Sequence, residues 1–369
     1  MSKGLGPGGA ERLLVAAAAA IDHDEFDVDA AYVLPWKDHL AGELESNGVT
    51  ATCLSTRRRD ALWPWRLRTA MDGVDIVHSH SPVPAVAARL ASLTLPRSRR
   101  PALMTTEHNS WASHRRPTRW ANRLTSGLDD YTIAVTDEAA ASLRGAAARR
   151  VEVITHGIDV AGIAGTARSR KDMRASLDVG DGEIVIGTVA NFRAQKDYPN
   201  LLHAARAMTD AGVAFRIVAV GQGPDEDSIV ALRDRLGLEN HVLFAGFRAD
   251  AVDVMAACDI FVLASAWEGL PVAVMEALAL GLPVVATRVG GVTESLDEAE
   301  AALVPPRDPA ALAAALIGLV TDPDQRTQRG EAAVAAASRF DVAHATKEIT
   351  DRYVELAAAR SPAGSDQLS

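Results

Sequence analysis

Two carboxylates, Glu268 and Glu276, and two cations, Arg193 and Lys196, have the types and spacing that invite chemistry in this 369-residue chain. Glu268 follows an apolar run, Asp259 to Ala264, that reads as a buried strand, and it precedes a helix whose first turn carries Pro271. A missing N–H costs nothing there. Glu276 then stands among Val272, Val274, Met275, Ala277, Leu278 and Leu280, so the helix reads as buried. A carboxylate in such a helix needs a partner, because desolvation disfavours its charge. Vicinal hydroxyls of a ligand are one answer, each carboxylate oxygen accepting from one of them, while free N–H groups at Gly269 and Leu270 suit phosphate. Ribose and diphosphate together make a nucleotide. A structural glutamate paired to a buried arginine or to backbone explains the same pattern, and the residues alone leave both open.

Arg193 and Lys196 lie in a loop between strand-like Ile184–Ala190 and a helix over Leu201–Ala211. Cations are poorly placed beside the positive end of a helix unless an anion sits between them, so this loop favours a bound phosphate. His108 ends the strand Ala102–Thr106, at the carboxyl edge where ligands of open α/β sheets gather. His78 and His80, one strand earlier, read as structural. Gly8 and Gly9 form a glycine-rich loop before the helix Leu13–Ile21, Gly221–Pro224 reads as a tight turn, and Gly246-Phe247-Arg248 follows the strand Val242–Phe244. Asp22-His-Asp24 and Asp27-Val-Asp29 match a metal motif by spacing alone, in a polar turn, so no metal is expected.

The elements that position these residues alternate. Strand-like Val28–Leu34, Val49–Leu54, Val74–Ser79, Ala102–Thr106, Tyr131–Val135 and Val151–Ile154 are separated by helical stretches near 37–47, 61–71, 85–92 and 115–126, and by one capped by Thr136. This is the signature of an α/β fold with parallel sheets. The length suits two domains: 1–160, with its first strand missing, and 161–340, entered through a polar linker at 160–181 that carries Arg168, Arg170, Lys171 and Arg174. Loss of a central first strand leaves its neighbours unpaired on one side, so either the start lies upstream of Met1 or the sheet is built differently. A helix at 341–359 follows, and 360–369 reads as a disordered tail.

Glu268-x7-Glu276 followed by Ala-x-Ala-x-Gly-x-Pro-Val-Val-Ala286 resembles the donor-site signature of retaining GT-B glycosyltransferases of family four, the glycosyl transferases group 1. Gly8-Gly9-Ala-Glu-Arg12, Asp75–His80 and Thr155–Asp159 resemble further features of that family, and the likeness spans almost the whole chain. It implies two Rossmann-like domains facing across a cleft, with a nucleotide sugar held mainly by the second domain and the acceptor by the first. It implies that Glu276 holds the ribose hydroxyls, that Glu268 and the backbone at Gly269–Leu270 contact the sugar, and that Arg193 and Lys196 neutralise the departing diphosphate. By the same likeness, Gly8 and Gly9 approach the diphosphate and acceptor, backbone at Gly246, Phe247 and Arg248 meets the nucleobase, and His108 contacts sugar or diphosphate. The last helix crosses back to the first domain.

The expected reaction is hexosyl transfer with retention, from a UDP- or GDP-linked sugar to a saccharide, lipid-linked or small-molecule acceptor, with no cofactor beyond the donor. A non-catalytic nucleotide-binding scaffold, a GT-B phosphorylase or an epimerase are the alternatives. Net charge is −10, yet residues 54–123 hold thirteen arginines against four carboxylates, a local +9. That segment is either a solvated surface or a site for anionic lipid or a phosphorylated acceptor, and peripheral contact with an anionic membrane is expected of the second reading. Nucleic acid is not expected, since no aromatic interleaving or binding module accompanies the arginines. Cys53 and Cys258 lack metal spacing, and no signal peptide or membrane-length apolar run is present, so the expected compartment is a reducing cytoplasm.

Overall fold

A computed structural model describes residues 1–165, 169–180 and 182–360. Arg168 of the linker reading and the tail from Ser361 lie outside the described residues. The chain forms two units, one of Met1–Ile158 with the chain from Asp341 onward, the other Asp159–Phe340.

In the first unit, β1 (Asp29–Tyr32) pairs with β2 (Thr50–Cys53), while β3 (Ile76–Ser79), β4 (Ala102–Glu107), β5 (Tyr131–Ala134) and β6 (Val151–Val153) pair in that order. Every pairing is parallel. The strand that the sequence reading finds missing is present in rudimentary form. Ser2 bridges Tyr32 in parallel, its N–H donating to Ala31 O at 2.9 Å. On the other side the Met1 amine donates to His78 O at 2.6 Å and His80 N–H donates to Met1 O at 2.8 Å. Met1–Leu5 thus fills the slot between β1 and β3, with too few pairings to make a regular strand. The helix Val342–Arg360 packs on the helix Gly9–Ala20 and on β3 and β4 of the same unit.

The second unit has one six-stranded sheet in the order β12-β11-β10-β7-β8-β9. These are β7 (Val185–Val189), β8 (Arg216–Val220), β9 (Val242–Gly246), β10 (Ile260–Leu263), β11 (Val284–Thr287) and β12 (Ala301–Val304), all parallel. Their Val- and Ile-rich sequences show almost no polar alternation because helices cover both faces, and β10 and β11 are buried along their whole length. The helices Tyr198–Asp210 and Pro309–Thr321 pack against each other over one face, around Leu202, Met208, Leu312 and Leu316. Each such side chain, fully removed from water, stabilises by about 1.5–3 kcal/mol.

Local readings shift where tertiary packing takes over. The helix at 37–47 contracts to Ala41–Ser46, and Pro271 precedes the helix Val272–Ala279 rather than sitting in its first turn. Thr136 caps as expected, its hydroxyl accepting from Ala139 N–H at 3.2 Å. The linker holds two short helices, Val160–Ala164 and Arg170–Ser176, and Arg170 and Arg174 both pair with Asp259 at the entry to β10. The basic segment also loses members. Arg89 is 2% exposed and bidentate to buried Asp129, and Arg66 is tied to Asp60.

Candidate active site

In the second sheet the chain runs outward from β7 through β8 to β9, then returns past β7 to lay down β10 on its other side. Loops after β7 and β10 therefore meet at the carboxyl edge where the strand order reverses, the switch point beside which such sheets usually hold ligands in a crevice. Lys196 belongs to the first loop and Glu268 to the second.

Aromatic anchors hold the first loop. Phe192 is fully buried and meets Tyr198 edge-to-face with centroids 4.6 Å apart, and the Tyr198 hydroxyl donates to Ala190 O at 2.8 Å. Between these anchors Arg193 is exposed, Ala194–Lys196 makes a single tight turn, and Asp197 adopts φ +43°. Gly223 of the loop after β8 presses on the same place: a Cβ there would lie 2.1 Å from Phe192 O. The glycines at 221–223 therefore serve close packing, as their tight-turn reading implies.

The second loop docks on the first through Ala266 N–H, which donates to Gln195 O at 2.8 Å. Glu268, 7% exposed, accepts from Lys196 Nζ at 2.5 Å, from Ser265 Oγ at 2.5 Å and from Gln195 Nε2 at 3.3 Å. The buried carboxylate is answered by one cation and two neutral donors, which removes the desolvation problem. Gln195 and Ser265 were not singled out from sequence, since neither is charged and their shared partner lies in a different loop or three residues on. Glu276 is half-buried rather than buried, on the helix that Gly269, Leu270 and Pro271 lead into. Gly246 takes φ +66°, which only glycine adopts readily, and Phe247 beside it is exposed. Arg248 is bidentate to Asp250 at 2.7 Å, so its side chain is engaged locally.

The first unit presents a different cluster at its own carboxyl edge. His78 and His80 end β3, His108 follows β4 and His156 follows β6, and centroids lie 4.1 Å apart for His78–His80, 5.6 Å for His80–His108 and 5.2 Å for His108–His156. His80 Nδ1 and His108 Nε2 are 3.3 Å apart, while His78 is hydrogen-bonded to Tyr353 and Thr106 at 2.6 and 2.7 Å. Burial pushes His108 down to about 3 and His156 down to about 4, and holds His78 and His80 well below the usual imidazole range. All four rings are neutral at pH 7. His156 Nδ1 is buried with no hydrogen-bond partner among the described residues. His78 fits its structural reading. His80 and His156 join His108, and the clue available in sequence was that each closes a strand, as His108 does. Gly8 and Gly9 begin the helix Gly9–Ala20 after the Met1–Leu5 segment, beside β3. Asp22 and Asp24 lie in the connection entering β1, at the opposite edge, and no group able to hold a metal occurs among the described residues.

The family model for glycosyl transferases group 1 matches residues 169–335, and that for Glycosyltransferase Family 4 matches residues 7–161. The chain belongs to the group 1, family 4 glycosyltransferases. Among members of this family, the D-inositol 3-phosphate glycosyltransferase of Corynebacterium urealyticum is 32% identical over 58% of this chain and 55% of its own length. The N-acetyl-alpha-D-glucosaminyl L-malate synthase of Bacillus anthracis is 28% identical over 45% of this chain and 44% of its own. The matched stretches thus span about half the length of these relatives. Of solved structures, Anabaena Alr3699/HepE in complex with UDP and glucose superposes with a TM-score of 0.83 at 24% identity, covering 96% of this chain and 98% of that one. The fold is GT-B, two domains built on parallel sheets.

Proposed function

We propose that this chain is a retaining hexosyltransferase, moving a sugar from a UDP- or GDP-linked donor to a hydroxyl of a saccharide, lipid-linked or small-molecule acceptor. The observation that carries the reading is the Lys196–Glu268 pair at the crevice where the second sheet reverses its strand order. Arg193 and Lys196 supply, without a metal, the positive charge that a departing diphosphate requires: the bond from the anomeric carbon to the diphosphate oxygen breaks, the bond to the acceptor oxygen forms on the same face, and the acceptor's proton passes to the departing diphosphate. Glu268 orients Lys196 and, with the backbone at Gly269 and Leu270, meets the donor sugar. Glu276, one turn into the helix, takes the ribose hydroxyls. His108 lends a neutral imidazole to sugar or diphosphate, and the glycine loop at Gly8 and Gly9, which opens the helix Gly9–Ala20, approaches diphosphate and acceptor. Support for a UDP-linked donor comes from the Anabaena structure solved with UDP-glucose, at 24% identity.

Nucleotide release from a panel of UDP-, GDP- and ADP-sugars, in chelator, tests this reading with the parent, Lys196→Ala and Glu276→Ala. Release from one donor, lost in both variants, is the expected result. Sugar-phosphate release that requires inorganic phosphate would replace it with a phosphorylase, and silence across donors and acceptors would leave a nucleotide-binding scaffold.

A further inference from the structure

Three helices of the first unit, Trp63–Ala70, Pro82–Ser92 and Arg116–Thr125, lie side by side and enclose an open groove of about 610 Å³. Trp63, Trp65, Val83, Leu90, Pro117 and Ala121 line it, and almost all of that lining is apolar. Around it large apolar side chains stand in solvent: Trp65 is 67% exposed, Trp120 57% and Leu124 78%. Such a contiguous patch is unusual on a protein surface that faces only water. Nothing in the site described above uses it.

Charge surrounds the patch. Arg68 lines the groove and its guanidinium lies 5.4 Å over the Trp65 ring, as that of Arg123 lies 5.6 Å over Trp120. Arg115, Arg116 and Arg119 open the third helix. Even with Arg89 buried and Arg66 paired, this segment carries a net positive charge within a chain of −10. Tryptophan with an apolar body and polar edge, leucines beside it and arginines flanking both is the composition that settles at a lipid–water boundary.

We propose that this three-helix face docks the protein on an anionic lipid bilayer, with Trp65, Leu90, Trp120 and Leu124 entering the boundary between headgroups and acyl chains. Arg68, Arg115, Arg116, Arg119 and Arg123 then meet the lipid phosphates. No described helix is long and apolar enough to cross a membrane, so the attachment is peripheral. Charge complementarity selects this occupant. A second copy placed face to face would set arginine against arginine, and the acidic remainder of the chain is repelled by the same membrane, which orients the docked protein. The inference stands independently of the proposed transfer reaction.

Co-sedimentation of the full chain with vesicles of phosphatidylcholine, with and without one third phosphatidylglycerol, tests it. Binding is expected only to the anionic vesicles and is expected to fall steeply in high salt. Arg115→Glu with Arg119→Glu should abolish it, and Trp65→Ser with Leu124→Ser should weaken partition on the order of tenfold or more. All four side chains project from the surface or its edge, and circular dichroism is the check that the variants fold. Quenching of tryptophan emission by brominated acyl chains needs no substitution and is expected in the parent. Absence of binding to anionic vesicles, binding undiminished in both double variants, or a lipid-free dimer that Trp65→Ser with Leu124→Ser dissociates would each overturn the proposal.

Discussion

The two units place opposite chemistry at equivalent edges of their sheets. At the crevice of the second unit, Glu268 and Lys196 form an ion pair whose carboxylate is further answered by Ser265 and Gln195. In the first unit, four imidazoles crowd together without charge, and one ring nitrogen, His156 Nδ1, has no partner among the described residues. An ionic cluster is suited to charge that develops on a leaving group, whereas neutral rings offer hydrogen bonds to hydroxyls at little desolvation cost. The difference teaches that the two sheets offer different chemistry at their carboxyl edges, and under the proposed reaction charge stabilisation would fall to the second unit and hydroxyl recognition to the first.

Removing the ionic cluster should have the largest effect. Lys196→Ala or Glu268→Ala is expected to lower nucleotide release by about 10²–10³-fold, the usual loss for one electrostatic stabiliser. If His108→Ala proves as damaging in the same assay, the division of labour fails.

Stability against pH separates the units next. The four histidines bind fewer protons folded than unfolded, so their contribution is complete above the ordinary value of 6.5 and is lost as pH falls below it, down to about 4 for His156 and about 3 for His108. Glu107, also buried in the first unit, is pushed up to about 7 by desolvation, and binds more protons folded than unfolded. Its contribution is complete below 4.5 and is lost as pH rises to about 7. Glu107→Gln should therefore gain stability relative to the parent between these values, by up to roughly 3 kcal/mol at pH 8, read from melting temperatures. A constant difference across pH would show that Glu107 does not titrate there.

A smaller effect is expected for His108→Ala, about a tenfold loss of release. The parent's rate should show no imidazole titration between pH 6 and 8, since the ring is already neutral. A rise centred near 6.5 that His108→Ala removes would contradict the desolvated cluster. Gln195→Ala, which deletes one 3.3 Å hydrogen bond to Glu268, should cost least, a few-fold in the same assay. An effect equal to that of Lys196→Ala would move Gln195 into direct contact with the donor.

Much of this was legible in sequence because it is local. Apolar runs, alternating helices and the strand-loop-helix around Glu268 follow from periodicity and turn chemistry within a dozen residues. Strand ends at His108 and His80 were placed to within a residue or two, since in both strands an apolar run gives way to polar residues. The first strand escaped because Met1–Leu5 has neither the length nor the branched side chains of a strand, and its pairing depends on Tyr32 and His78 lying on either side.

By itself, the sequence determined the elements, the family and the residues able to carry charge. Tertiary structure alone decided which of them meet. Lys196 and Glu268 are 72 residues apart and become partners only because β10 is laid beside β7. His80, His108 and His156 converge because three strands end at one edge, and the arginines divide into buried, paired and exposed only once Asp129 and Asp60 are in place. The physical reason is range: propensity and periodicity act along a few residues of chain, while ion pairing, desolvation and the exposure of an apolar groove depend on neighbours that the strand order supplies.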